Sequence, residues 1–260
     1  MKHSFLYLHF GGQCPWYLWM LEQVTRAARE VEGEVRIVDV MDEPSYAADY
    51  RMYFPFMTII DDFWRIPAQV AARDLVSIAE DGLPGEPTVQ GPKIQVGRLD
   101  EVRKMTLANI QETCPLCVPY YESRGCRGKK AWASSIVKES DNLLGYIGYK
   151  NEHVLAAVEM MPATEVPYPL EDKDAKTAFI TCLYSQSGSL DYRADVLAPL
   201  IRYLQGQGLN RIQVIAGNRT AFPNGPAAFF EEFGFENKGE IDRVLLKKGT
   251  EEIYLMEKEL

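Results

Sequence analysis

The sequence has no apolar run approaching the roughly 20 residues that a membrane-spanning helix needs. Its opening, Met1 to Phe10, alternates like a strand and is too short and too interrupted for a secretory signal. Positive charge is scarce as well. Against 37 Asp and Glu there are 28 Lys and Arg, leaving a net charge of -9, which argues against nonspecific binding to nucleic acid or to an anionic membrane. The five cysteines, Cys14, Cys114, Cys117, Cys126 and Cys182, are an odd number, and without a signal they do not suggest a disulfide framework. Metal binding, thiol chemistry or burial remain for them. No internal repeat or low-complexity segment is present. Together these absences predict a cytoplasmic protein.

What is present is enough chain for two domains. The 260 residues suit one large or two ordinary domains, each able to bury a core. The densest run of glycine and proline, from Glu80 to Pro87 and on to Gly91-Pro92, marks a linker. The expected units are therefore residues 1–82 and 93–260, with the linker at 83–92.

In the first unit, strands are expected over 5–10, 34–40, 56–60 and 63–66, with a tight turn at Asp61-Asp62. Helices are expected after Pro15, over 44–53 and over 67–80. Tyr17, Leu21, Val24, Ala28 and Val31 recur at helical spacing. This β-α-β-α-β-β-α order, with Cys14-Pro15-Trp16-Tyr17 at the first strand-to-helix turn and Phe54-Pro55-Phe56-Met57-Thr58 entering the third strand, resembles the thioredoxin fold. The resemblance implies a cis Pro55. A redox-active member carries a second cysteine three residues after the first, and here that position is Tyr17. Cys14 at a helix start retains the possibility of monothiol chemistry. The other expectation is that this unit packs against the second unit or forms a homodimer, and Trp16 and Trp19 suit either interface.

In the second unit, a strand is expected over 93–99, a helix over 100–112, a helix near 130–138, and strands over 143–149, 153–161 and 177–184. A helix follows in which Leu197, Leu200, Ile201 and Leu204 form one stripe. A strand over 211–216, a short helix over 226–233 ended by Gly234, and strands over 244–247 and 253–257 complete the chain. The strand, glycine-containing turn and helix after residue 177 present unpaired backbone N–H groups at the positive end of a helix dipole, where a pyrophosphate fits without a lysine.

Three stretches carry a second resemblance. They are Phe179-Ile180-Thr181-Cys182-Leu183-Tyr184, Val196-Leu197-Ala198-Pro199-Leu200-Ile201, and Asn224-Gly225-Pro226-Ala227-Ala228-Phe229-Phe230-Glu231-Glu232-Phe233-Gly234-Phe235. In this order they resemble the GNAT superfamily of acyl-CoA N-acyltransferases over residues 93–260. Cys114-Pro-Leu-Cys117, followed by Tyr120-Tyr121-Glu122, is similar to a subgroup with paired cysteines. The resemblance implies an α/β fold with a mixed, mainly antiparallel sheet, acetyl-CoA as donor, and a small-molecule or peptide amine as acceptor. It places Cys182, Leu183 and Tyr184 at the thioester. Gly188, Ser189, Leu190, Asp191, Tyr192 and Arg193 fall at the pyrophosphate, and Asn224, Phe229 and Phe230 on the last helix beside the cofactor.

Two positions depart from the family pattern. The phosphate loop has one glycine, and Asp191 sets a negative charge beside a pyrophosphate unless it turns away or pairs with Arg193. Phe230 stands where many members have a proton-donating tyrosine, leaving Tyr184 or Tyr192 as substitutes. Glu159, on a strand amid Ala156-Ala157-Val158 and Met160-Met161, is the provisional base, because a carboxylate in apolar company has a raised pKa; Glu165 and His153 are weaker candidates. Cys114, Cys117 and Cys126 could supply three thiolates to a metal. No fourth ligand is evident, and no metal is assigned. A CoA-binding or sensor module without turnover, and thiol or metal chemistry through Cys14 and the Cys114–Cys126 cluster, stand as alternatives to transfer.

Overall fold

Along Phe5-Leu6-Tyr7-Leu8 successive side chains fall on opposite faces of a strand, and both faces are covered. Phe5 and Tyr7 pack under helices with Met20, Val24 and Leu75, while Leu6 and Leu8 pack with residues of a second sheet. Described here by a computed structural model are residues 2–82, 95–117, 123–137, 142–186, 188–218, 220, 222–246 and 249–260. The expected linker at 83–92 lies outside the described residues, as do Tyr120, Tyr121 and Glu122.

The first sheet contains β1 (Ser4–His9), β2 (Glu34–Asp39), β3 (Phe56–Ile60) and β4 (Trp64–Ile66), in the order β2-β1-β3-β4. β1 runs parallel to β2 and antiparallel to β3. Helices α1 (Tyr17–Glu30) and α3 (Ala72–Asp81) lie on one face, and the short α2 (Ser45–Asp49) follows β2. The observed order of elements is the order expected from the sequence. The apolar stripe of α1 is rotated slightly, with Met20, Val24, Ala27 and Ala28 as its buried residues. The three-residue β3–β4 loop turns through Asp61 and Asp62, both at φ 54, and is closed by the Phe63 N–H donating to the Ile60 carbonyl at 3.1 Å. Asp61 is tied down as well, since its carboxylate accepts the Ser4 N–H at 2.7 Å.

Pro55 is not cis. Among the described residues the cis peptide is Phe222–Pro223. The Pro55 carbonyl accepts the Phe10 N–H at 2.9 Å, so this residue extends the β1–β3 ladder.

The second sheet has seven strands: β6 (Glu101–Met105), β7 (Gly145–Lys150), β8 (His153–Pro162), β9 (Thr177–Ser185), β11 (Arg211–Gly217), β12 (Glu236–Leu246) and β13 (Gly249–Glu259). Their order is β12-β13-β11-β9-β8-β7-β6. All neighbours are antiparallel except β9 and β11. The sheet is thus mixed and mainly antiparallel. Helix α6 (Arg193–Gln205) covers one face through Val196, Leu197, Leu200 and Leu204, and α7 (Ala227–Glu231) supplies Phe230 to the same core.

The expected helix over 100–112 is instead the edge strand β6, followed by a 3₁₀ turn at Ile110–Thr113. Edge strands carry charge on their open side, and here Arg103 forks onto Glu101 at 2.7 and 2.6 Å. With charges so close to Val102 and Met105, the segment imitates an amphipathic helix. Asn109 ends the strand, accepting the Thr106 N–H and donating to the Lys104 carbonyl. The strand expected over 93–99 is described only as β5 (Gln95–Val96), paired in parallel with β10 (Leu190–Asp191).

The two sheets share a core. One cluster takes Leu8, Val38, Met57 and Ile59 from the first and Ile147, Ala157, Phe179 and Ile253 from the second. At one side Arg65 grips Asp242 with two hydrogen bonds of 2.8 and 2.6 Å. At the other, α5 (Ser123–Ile136) lies against the β1–α1 turn. A Cβ on Gly125 would come within 2.0 Å of the Pro15 carbonyl oxygen, and one on Gly128 within 2.5 Å of the Tyr17 hydroxyl. Backbone is what blocks Gly125, and it cannot swing aside. Gly125→Val is expected to open this seam and cost about 2–3 kcal/mol, a typical overpacking penalty, read as a lowered urea midpoint at unchanged slope. A neutral result would show that α5 is free to slide.

Candidate active site

The site begins with a divergence of strands. β9 and β11 pair in parallel from Thr177↔Arg211 to Ile180↔Val214 and then part, while β9 stays paired with β8 as far as Ser185↔Ala156. The β8–β9 register shifts between Glu159 and Met160, so Thr181 is an extra residue on β9. Such a bulge bends its strand and leaves a residue out of the ladder.

Asn224 stands in the gap between β9 and β11. Its Oδ1 accepts the Leu183 N–H at 2.8 Å and its Nδ2 donates to the Ile215 carbonyl at 2.9 Å, joining the separated strands. Asn224 has a φ of 61, a conformation asparagine tolerates better than most residues.

The turn beyond β9 leads into α6. Gly188 and Ser189 are exposed and Leu190 is half-buried. Gly188 has a φ of 141 with nothing within 4 Å of a notional Cβ. Ser187 lies outside the described residues. Asp191, Tyr192 and Arg193 are buried. The Asp191 carboxylate accepts the Arg193 backbone N–H at 3.0 Å and takes the guanidinium at 2.6 Å. Ser185 Oγ accepts the Tyr192 N–H at 3.3 Å. Arg193 also donates to the Asn224 carbonyl at 2.7 Å and lies over the Phe229 ring at 4.4 Å. The pairing of Asp191 with Arg193 that the sequence left open is therefore made, and the carboxylate sits at the start of α6.

On the other face of β9 lie Cys182, half-buried, and Tyr184, 38% exposed. The Tyr184 hydroxyl is held above its ordinary pKa, first by burial and then by the charges at Cys117, Cys182 and Cys14. Phe230 is fully buried against Phe229 and Phe235 and is a core residue.

Glu159 is not in apolar company. Its carboxylate is buried in an ion pair with Lys129 of α5 and accepts from Gln13 Nε2 at 3.4 Å. Lys129 also donates to the Gln13 carbonyl at 3.2 Å. Burial pulls the ammonium down, but Glu159 outweighs it and the Lys129 pKa is raised. Each oxygen of the carboxylate thus accepts one hydrogen bond, from Lys129 and from Gln13. Glu165 and His153 are exposed. Among the described residues no three His, Cys, Asp or Glu side chains are placed to hold a metal ion. Lys129, Gln13, Tyr168 and Thr181 had no signal in the sequence. Lys129-Lys130 reads as a solvated helix face, and only the seam between the sheets turns Lys129 inward.

A cavity of about 600 Å³ opens at the end of β9, lined by Glu112, Pro115, Tyr149, Glu152, His153 and Gln186, among others.

Solved N-acetyltransferases are similar to this chain. The N-acetyltransferase PaiA from Thermoplasma acidophilum, crystallised with coenzyme A, is 14% identical, with a TM-score of 0.39 over 62% of this chain and 98% of that one. A ribosomal-protein-alanine N-acetyltransferase from Brucella melitensis is 15% identical, with a TM-score of 0.44 over 62% and 99%. An N-acetyltransferase from Staphylococcus aureus Mu50 is 13% identical, with a TM-score of 0.45 over 61% and 97%. The sequence matches no family profile and no curated protein. Among the described residues no helix is long and apolar enough to cross a membrane.

Proposed function

We propose that the unit over residues 93–260 is a GNAT-like N-acyltransferase that moves an acetyl group from acetyl-CoA to a primary amine, and that the unit over residues 1–82 is a degenerate thioredoxin-like domain serving as its buttress. The parting of β9 from β11 carries this reading. From Thr181 to Ser185 the edge of β9 facing β11 has no ladder partner in β11, and Asn224 holds it at the Leu183 N–H. An extended acyl arm carrying amide groups is suited to that edge, beside Asn224. Acetyl-CoA would supply an activated thioester.

The residues fit the acyl arm better than the diphosphate. At the start of α6, Asp191 already holds the Arg193 amide, so anion binding requires this carboxylate to turn out. With Glu159 committed to Lys129, the amine's proton would pass to solvent. Tyr184, protonated at neutral pH and partly exposed, is the proposed acid for the departing thiolate. The cavity with Glu112 and Glu152 suits a cationic acceptor before it loses its proton.

A second reading, a CoA-binding or sensor module without turnover, is favoured by Phe230 in the core and by Asp191 at the anion site. Calorimetry with CoA, beside acetyl transfer to a panel of amines, separates the two. Transfer is expected, with Tyr184→Phe lowering kcat about 100-fold at unchanged KM. Binding without transfer would leave the second reading. Absence of both at millimolar CoA would remove both.

A further inference from the structure

The faces of both sheets are occupied. Helices α1 and α3 cover one face of the first and α6 one face of the second, and α4 (Cys114–Cys117) adds Leu116 to the core between the sheets. What stays open is an edge. At one side of the first sheet, β4 is tied to β12, where Arg65 donates to the Arg243 carbonyl at 3.0 Å. At the other side, among the described residues, no strand lies beyond β2. Glu34, Val35, Arg36 and Ile37 are all exposed there. Val35 and Ile37, 41% and 46% exposed, continue the face that carries Phe5 and Tyr7.

Sheet edges are ordinarily blunted by proline, lysine or a bulge. β2, reading Glu-Val-Arg-Ile-Val-Asp, has no proline or lysine, and its register with β1 is unbroken from Ser4↔Glu34 to His9↔Asp39. The Glu34 N–H donates to the His3 carbonyl and the Val40 N–H to the His9 carbonyl, both at 2.9 Å. Successive residues of a strand turn their backbone groups to opposite sides, so Val35, Ile37 and Asp39 present theirs outward.

A second copy running antiparallel can meet these groups in a few registers, and charge separates them. A two-fold axis at Arg36 sets the two guanidinium groups against each other. An axis at Ile37 sets Val35 against Asp39 and leaves Arg36 opposite Val38. An axis at Val35 sets Glu34 of each copy opposite Arg36 of the other, in the non-hydrogen-bonded position where side chains come closest. The two Val35 residues then exchange both backbone bonds. Each Ile37 N–H reaches the other copy's Gly33 carbonyl, the Gly33 N–H being held already by the Ala28 carbonyl at 2.7 Å.

We infer that β2 joins two copies of this chain, antiparallel about a two-fold axis at Val35, so that their first sheets become one. The alternation of charge fixes the occupant, because an edge reading Glu-Val-Arg is complementary to its own reverse, as a two-fold interface requires. Trp16 and Trp19 are not needed for it; they pack edge-on to each other at 5.4 Å and against the first core. The interface does not depend on the acyl-transfer reading.

The test is sedimentation velocity on the full-length protein from micromolar to submillimolar concentration. The wild type should dimerise reversibly. Glu34→Arg and Arg36→Glu should each weaken the dimer about tenfold, since each sets like charges opposite one another twice. The double variant Glu34→Arg with Arg36→Glu should recover the wild-type affinity, and Ile37→Lys should leave a monomer. The side chains of Glu34 and Arg36 are 74% and 60% exposed, in surface pairs with Lys2 and Glu43, so the charge variants keep the fold, which circular dichroism checks. A wild type that is monomeric throughout, its edge left to solvent or to a different chain, would overturn the inference. So would a dimer unmoved by Ile37→Lys, or one in which the charge swap fails to rescue the single variants.

Discussion

Lys129→Met is expected to lower the unfolding free energy by about 3–5 kcal/mol, the cost of leaving a buried charge without its partner. The side chains of Lys129 and Glu159 are 3% and 6% exposed. Removing the ammonium strands a carboxylate whose remaining partner is Gln13 Nε2 at 3.4 Å. The double replacement Lys129→Met with Glu159→Met should recover much of the loss, because two apolar side chains no longer require solvation. Urea unfolding of the two single variants and the double variant gives the coupling directly. Additive losses, or a single-variant cost under about 1 kcal/mol, would mean the pair is hydrated.

The pH dependence has a definite sign. The folded-state pKa of Lys129 is raised above its unfolded value. Its contribution is therefore fully present below the unfolded lysine pKa of about 10.4 and is lost as pH climbs through the higher folded value. The Lys129→Met penalty should accordingly be unchanged between about pH 7 and 9.

Asp191→Asn is expected to tighten CoA binding by about tenfold, or about 1.4 kcal/mol, while lowering stability by about 3 kcal/mol. Both effects have one origin. The Asp191 carboxylate, with its side chain 10% exposed, neutralises Arg193 and caps the first amide of α6. Replacing it by an amide removes the negative charge that a diphosphate must displace and leaves Arg193 with unspent charge beside the helix start, where anions bind. Calorimetry supplies the affinity and thermal unfolding the stability. Unchanged or weaker CoA binding, in a variant that is folded and destabilised as expected, would show that anions do not use this end of α6.

Much of the site's backbone could be read from residue order. The strand, turn and helix from Thr177 onward, the stripe through Leu197, Leu200, Ile201 and Leu204, and the short helix before Gly234 all follow from local periodicity and punctuation. The side-chain chemistry could not be read that way. Glu159 looked apolar in its surroundings because its strand neighbours are Val158 and Met160, whereas Lys129 and Gln13 reach it from far along the chain. The edge strand at Glu101–Met105 imitated a helix for a local reason: its charges face solvent across an unpaired edge.

Taken alone, the amino-acid order determined an α/β fold and the succession of most of its strands and helices, because alternation, helical spacing and glycine–proline breaks act over a few residues. Only the tertiary structure decided that the two sheets share a core, that Asn224 joins β9 to β11, that Asp191 holds Arg193 at the helix start, and that Lys129 and Gln13 meet Glu159 in the seam between the sheets. Those outcomes depend on close approach between distant segments, set by residues such as Gly125 and Gly128, whose missing side chains carry no local signal of what will pack against them.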